Sequence, residues 1–185
     1  MAFNRLHTDI LQASFCRYDG PLANGENANN KLDLERIKDI PDLRQRVSGL
    51  VAEKVKLHRP QLIVPVPNGA NWLGSDVAGL LDIEWLVLQK DIETKEISYF
   101  AGGLAVVQSI ERLVVVEDVF RKFTNTNKVL ALEGIGERAV AAEAIYDRNP
   151  NRIEDIGLPH DALVKQYIPT QLPAESSFWQ FAGHA

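Results

Sequence analysis

Residues 113–120 read Leu-Val-Val-Val-Glu-Asp-Val-Phe. An uninterrupted apolar run predicts a strand covered on both faces, because a strand with one wet face alternates apolar and polar side chains. The run stops at Glu117 and Asp118, so the strand is expected to end there and deliver two adjacent carboxylates to the edge of its sheet. Residues 120–127 (FRKFTNTN) follow as a cationic, polar loop leading into a helix predicted over 126–134. A second apolar run predicts a strand at 139–146.

Upstream the same rhythm repeats. Residues 62–66 predict a strand, Pro67-Asn68-Gly69 a turn, and 70–81 a helix. Further strands are expected at 84–88 and 104–107, with a polar stretch at 89–98 between them. Apolar strands without alternation, separated by helices, predict an α/β fold: a mainly parallel sheet with crossover helices on both faces. Ligands of such sheets bind beyond the carboxyl ends of the strands. That places the candidate site at Glu117 and Asp118.

Outside this core, Phe3, Leu6, Ile10 and Leu11 recur at helical spacing and predict an N-terminal amphipathic helix. Residues 20–30 (GPLANGENANN) read as a loop or hairpin, and 31–37 (KLDLERI) as a short strand. Pro41 suits the first turn of a helix whose buried face carries Leu43, Val47, Leu50, Val51 and Val55. Trp72 and Trp85 are expected in the core. The tail from Asn149 is rich in proline and polar residues and ends in Phe178, Trp179 and Phe181. Such an aromatic cluster is expected to dock on its own domain or on a partner subunit.

A length of 185 residues, 45% hydrophobic and 24% charged, fits one packed domain over 1–185. Its core is expected at about 40–148, with the N-terminal helix and hood at 1–40 and the tail at 149–185. The net charge of −5 argues against a nucleic-acid partner, so any phosphate must meet a local group of donors. Cys16 is the single cysteine, which excludes an internal disulfide and a cysteine-rich metal site. His7, His58, His160 and His184 are scattered, without metal-ligand spacing. No apolar run approaches the roughly 20 residues that span a bilayer. The expectation is a soluble, cytoplasmic protein with no membrane partner. Dinucleotide (GxGxxG) and nucleoside-triphosphate (GK[ST]) signatures are absent from the sequence.

Two adjacent acids can accept hydrogen bonds from the vicinal hydroxyls of a sugar, or assist a hard cation such as Mg²⁺. Lys122, Thr124, Asn125, Thr126 and Asn127 supply cations, hydroxyls and amides behind them, and a helix start adds free N–H groups. Acids for a polyol beside an anion cradle suit a phosphorylated ribose. Equally, acids can end a strand because strand ends are solvated, and Thr and Asn can simply cap the next helix. Spacing alone does not separate these readings.

The ordered segments say more. LVVVEDVF, followed a helix later by ALEGIGERAVAAEAIYDR (131–148), resembles the type I phosphoribosyltransferases. The orotate branch is the nearest likeness: KLDLERI resembles its early strand, and residues 64–91 (VPVPNGANWLGSDVAGLLDIEWLVLQKD) resemble its pyrophosphate loop, the helix after it and a strand closing on lysine. Asp147-Arg148 resembles the pair that opens its later loop. The matches span roughly 31–150 in order, which is harder to meet by chance than one motif.

The resemblance implies a type I phosphoribosyltransferase-like fold, with a parallel sheet flanked by helices and a small hood from the terminal segments. It implies transfer of a phosphoribosyl group from phosphoribosyl pyrophosphate to a nucleobase or related nitrogen nucleophile, in pyrimidine or other nucleotide synthesis or salvage. Glu117 and Asp118 would hold the ribose hydroxyls. Lys122, Thr124, Asn125, Thr126 and Asn127 would hold the 5′-phosphate, and Pro67, Asn68 and Gly69 the pyrophosphate. Lys90, Lys95 and Asp118 would be catalytic, and Arg148 would lie on the base side. Mg²⁺ would arrive with the substrate, not on a side-chain cluster, and the protein would be a homodimer.

Departures from the family pattern are concentrated in two loops. After Val119 the family has Thr-Thr-Gly-Gly-Ser, whereas residues 120–127 contain no glycine. Glycine lets the backbone turn its N–H groups around a phosphate, and phenylalanine resists the left-handed conformation this needs. Arg121 and Lys122 would then substitute side-chain cations for backbone donors. In the flap, Gln89 stands for arginine, Lys95 follows Lys90 by five residues, and no histidine follows. Asn149-Pro150 replaces the acidic-glycine turn after Arg148. The altered phosphate loop admits a second reading, a catalytically degenerate protein that binds a ribose phosphate or nucleotide for regulation. A third is a structural subunit whose aromatic tail recruits a partner.

Overall fold

The computed structural model describes residues 2–21 and 26–182, with side chains from Arg5 onward. Helix α1 (Ala2–Ser14) buries Leu6, Ile10 and Leu11 as the spacing predicts; the Phe3 side chain and His184 lie outside the described residues. Strands β1 (Phe15–Pro21) and β2 (Asn27–Leu32) pair antiparallel, and residues 22–25 between them lie outside the description. The short strand expected at 31–37 ends at Leu32. A 3-10 helix, Leu34–Asp39, follows, because Leu34 and Ile37 are three residues apart and eclipse on one buried edge of that helix.

Helix α2 (Pro41–Lys56) begins with proline in its first turn and buries Leu43, Val47, Val51 and Val55, while Leu50 is exposed. The chain continues through β3 (Leu62–Pro65), α3 (Asn71–Leu81) and β4 (Glu84–Trp85). It then forms a hairpin of β5 (Leu88–Lys90) and β6 (Ile97–Tyr99). After the short helix α4 (Gly103–Gln108) come β7 (Leu113–Phe120), α5 (Thr124–Leu130), α6 (Ile135–Arg138), β8 (Ala139–Asp147) and β9 (His160–Lys165).

The main sheet is parallel throughout, in the order β4-β3-β7-β8-β9. Val114 and Val116 of β7 join the cluster formed with α1, α2, α3 and the tail, whereas Leu113 and Val115 join the cluster with α4, α5 and α6. Both faces are therefore covered, and the absence of alternation in β7 follows from it.

Further local expectations differ. The strand expected at 84–88 is split: β4 is a two-residue exposed edge, and β5 leaves the sheet to pair with β6, so Trp85 is exposed and not core. Residues 104–107 are helical, entered through Gly102 in a left-handed conformation (φ 86°), and bury Val107 against the sheet. The helix expected at 126–134 begins earlier, at Thr124, and is interrupted before Gly134 (φ 83°). The tail contributes β9, a strand that its flanking polar residues concealed. The terminal aromatics dock on their own domain: the rings of Phe178 and Trp179 each lie 5.9 Å from that of Phe15.

Candidate functional site

The chain runs from β3 outward to β4, then returns past β3 to β7, β8 and β9. The reversal between β3 and β7 is the topological switch point, where a parallel sheet leaves a crevice at its carboxyl edge. The loop after β3 carries Pro67, Asn68 and Gly69, with a cis peptide bond between Pro67 and Asn68. Glu117 and Asp118 come from the neighbouring strand. A cavity of about 210 Å³ opens there, lined by both acids and by Arg121, Lys122, Thr124 and Asn125. Lys31 and Leu32 of β2 form the hood side, and Arg148 also lines it.

The acids do not end the strand. β7 continues to Phe120, pairing with β8 as far as Asp147, so Glu117 and Asp118 point to opposite faces. Glu117 turns toward α5, where the Thr126 hydroxyl donates to its Oε2. It is 7% exposed. Burial pushes its carboxyl up to about 8, opposed by the Thr126 hydrogen bond. Asp118 turns toward α3 and lies against the α-carbon of Gly69, while its Oδ1 accepts from the Val119 N–H at 2.8 Å. Burial raises its pKa too.

Lys90 reaches the site from the β5–β6 hairpin, donating to Asn125 Oδ1 at 3.1 Å. Burial and the neighbouring Lys128 lower its pKa, while Glu117 and Asp118 act in the opposite sense. Lys95 does not line the cavity, although its charge also lowers the Lys90 pKa. It is exposed at the hairpin turn, and its ammonium donates back to the Ile92 carbonyl. Asn127 is likewise exposed in α5 and does not line the cavity.

The glycine-free loop achieves a left-handed turn with phenylalanine. Phe123 has φ 54° and ψ 18° and is 1% exposed. Phe123 lines the cavity, and its ring packs edge-on to Phe120 and His160, with centroids 5.0 and 4.9 Å away. The Arg152 guanidinium covers it at 4.2 Å, donates to the Arg121 carbonyl at 2.8 Å and pairs with Asp147. Burial of the ring thus offsets a conformation that costs about 1–3 kcal/mol without glycine.

Arg148 lines the cavity, but its guanidinium is engaged. It donates to Asn30 Oδ1 at 2.9 Å, to the Ile168 carbonyl at 2.9 Å and to the Pro169 carbonyl at 3.1 Å. It thereby ties β8 to the hood and tail. Arg121 and Lys122 both pair with Glu26 at the start of β2. Glu26, Asn30 and Arg152 carry no motif; only their long-range contacts bring them to the site.

Among the described residues no group of three or more His, Cys, Asp or Glu could hold a metal ion, and no helix is long and apolar enough to cross a membrane. No family model matches the chain. The curated orotate phosphoribosyltransferase of Caldanaerobacter subterraneus subsp. tengcongensis is 25% identical over 150 residues, 80% of this chain and 76% of that one. That of Novosphingobium aromaticivorans is 26% identical over 158 residues, 83% and 79% of the two chains. Orotate phosphoribosyltransferase of Mycobacterium tuberculosis, solved with Fe(III) dicitrate, superposes with a TM-score of 0.65 at 17% identity, covering 89% of this chain and 96% of that one. Adenine phosphoribosyltransferase of Trypanosoma brucei, solved with AMP, pyrophosphate and ribose-5-phosphate, gives 0.63 at 14% identity, covering 86% and 79%.

The parallel sheet, its switch point and these superpositions define the fold as that of the type I phosphoribosyltransferases. Within that class the sequence likeness lies with orotate phosphoribosyltransferase, as the ordered segments indicated.

Proposed function

We propose that the protein transfers a phosphoribosyl group from phosphoribosyl pyrophosphate to a nucleobase or related nitrogen nucleophile, most like the orotate branch. The observation that carries this is the contact of Asp118 with Gly69 at the switch point, beside a cavity that Glu117 and Asp118 line and whose Asn125 holds Lys90. Asp118 accepts a hydrogen bond from a ribose hydroxyl. Glu117, protonated near neutral pH, can donate to the other hydroxyl oxygen. Thr124, Asn125, Arg121 and Lys122 face the 5′-phosphate, and Lys90 lies toward the pyrophosphate with the loop at Pro67, Asn68 and Gly69.

In the reaction the bond from the anomeric carbon to pyrophosphate breaks and a bond to the acceptor nitrogen forms, through an oxocarbenium-like centre. The protein's contribution is positioning and stabilisation of the leaving charge, with no covalent nucleophile. A divalent cation would be held largely by the oxygens of the substrate itself. Mg²⁺ there would neutralise the pyrophosphate. The homodimer implied by the resemblance belongs to the same reading, and light scattering checks it.

The test is pyrophosphate release from phosphoribosyl pyrophosphate and Mg²⁺ with a panel of pyrimidine and purine bases. Release with one base supports the reading; none with any base sinks it.

A further inference from the structure

The cavity is about 210 Å³. Sites that enclose a small ligand usually measure about 300–1,000 Å³. One side of the cavity is lined by the β1–β2 hairpin, through Lys31 and Leu32. This hairpin is anchored in the middle of β2. The Asn29 N–H donates to the Thr170 carbonyl at 3.0 Å, and Asn30 Nδ2 donates to the Pro169 carbonyl at 2.9 Å. Just before β2, Glu26 crosses to the loop after Asp118, taking Lys122 Nζ on Oε1 and Arg121 Nη2 on Oε2.

Arg121 and Lys122 are the two cations of that loop and both line the cavity. A carboxylate offering one oxygen to an arginine and the other to a lysine has the charge and two-point geometry of one edge of a phosphate. We propose that Glu26 is an internal counter-anion. It holds Arg121 and Lys122 while the site is empty, and the phosphate of an incoming sugar phosphate takes its place. Glu26 is half-exposed, so rotation of its side chain at the start of β2 lets a phosphate reach Arg121 and Lys122 with Asn29 and Asn30 still anchored. The pairing lowers the affinity of the empty site for small anions, and it releases one end of the hood when a phosphate arrives. The identity of that phosphate as the substrate's 5′-phosphate rests on the function proposed above; the exchange itself does not.

The test is calorimetric titration of inorganic phosphate, at fixed ionic strength, into the wild type, Glu26→Gln and the double variant Glu26→Gln/Lys122→Gln. Removing the competing charge is expected to tighten phosphate binding about three- to tenfold. The gain is expected to vanish in the double variant. Unchanged or weaker binding by Glu26→Gln would overturn the proposal, as would a gain that survives loss of Lys122, or no phosphate binding in any form. Should Glu26→Gln not fold, Glu26→Asp, which keeps the charge but shortens the arm, is expected to bind phosphate more tightly than wild type. Equal or weaker binding overturns the proposal there too. No base or pyrophosphate enters the titration, so a failure of phosphoribosyl transfer leaves its result unaffected.

Discussion

The carboxyl group of Asp118 occupies the space that a side chain at position 69 would need. A β-carbon built on Gly69 would lie 2.9 Å from Asp118 Cγ and nearer still to Oδ2. Gly69 lies in the turn after β3 and Asp118 within the neighbouring β7, and their contact joins the two. Glycine serves here for close approach and not for a positive φ.

Gly69→Ala is therefore expected to push the Asp118 carboxylate from its position. Activity with phosphoribosyl pyrophosphate should fall at least tenfold, while the fold loses about 1–3 kcal/mol. Because Asp118→Ala empties the contested space, adding Gly69→Ala to it should cost less than in the wild type. A double-mutant cycle by urea denaturation is expected to return a coupling of about 0.5–3 kcal/mol, and strict additivity would contradict the contact.

Glu117 gives a pH dependence with a definite sign. Its folded-state pKa of about 8 lies above the ordinary 4.5, so folding favours the protonated form. The corresponding stability is fully present below pH 4.5 and is lost as pH rises from there through about 8. The loss should amount to a few kcal/mol and be absent in Glu117→Gln, as urea midpoints between pH 5 and 9 would record. Thr126→Val removes the donor that favours the ionised form and should raise the pKa further, measurable by carboxyl NMR.

Phe123 separates two opposing costs. Phe123→Ala deletes the buried ring and keeps the left-handed backbone, an expected loss of about 3–5 kcal/mol. Phe123→Gly deletes the ring but relieves the backbone, so it should be more stable than the alanine variant by about 1 kcal/mol. Glycine ordinarily ranks below alanine, and finding that order here would refute the strained turn.

At Lys90, the neighbouring Lys128 helps to lower the pKa. If the ammonium serves the leaving pyrophosphate, Lys90→Gln should reduce kcat about tenfold to a hundredfold. Lys128→Ala removes a like charge and should raise the Lys90 pKa, moving the alkaline limb of the rate profile to higher pH. An unmoved limb would detach Lys90 from catalysis.

Arg148 is expected to behave as a structural cation. Arg148→Lys cannot reproduce the fork that reaches Asn30 and the carbonyls of Ile168 and Pro169, and should cost about 1–3 kcal/mol in thermal denaturation.

Local pattern was enough for much of this. The unbroken run at 113–116 required a strand covered on both faces, and its order with Pro67-Asn68-Gly69, Lys90 and Asp147-Arg148 located the crevice. These features rest on contacts near in sequence or on apolar burial, which composition along the chain records directly. Whether Glu117 and Asp118 share a direction was not recorded there, because it depends on how far β8 extends the pairing of β7.

Long-range contact alone chose the rest. It split residues 84–90 between two sheets, drew 160–165 into the main one and made a helix of 103–108. It also gave Phe123 the burial that sustains a left-handed turn, and it engaged Arg148, Arg121 and Lys122 with partners far along the chain. The reason is physical: a short apolar segment or a single cation has several local conformations of nearly equal energy. The neighbour that buries it or accepts its hydrogen bond is what selects among them.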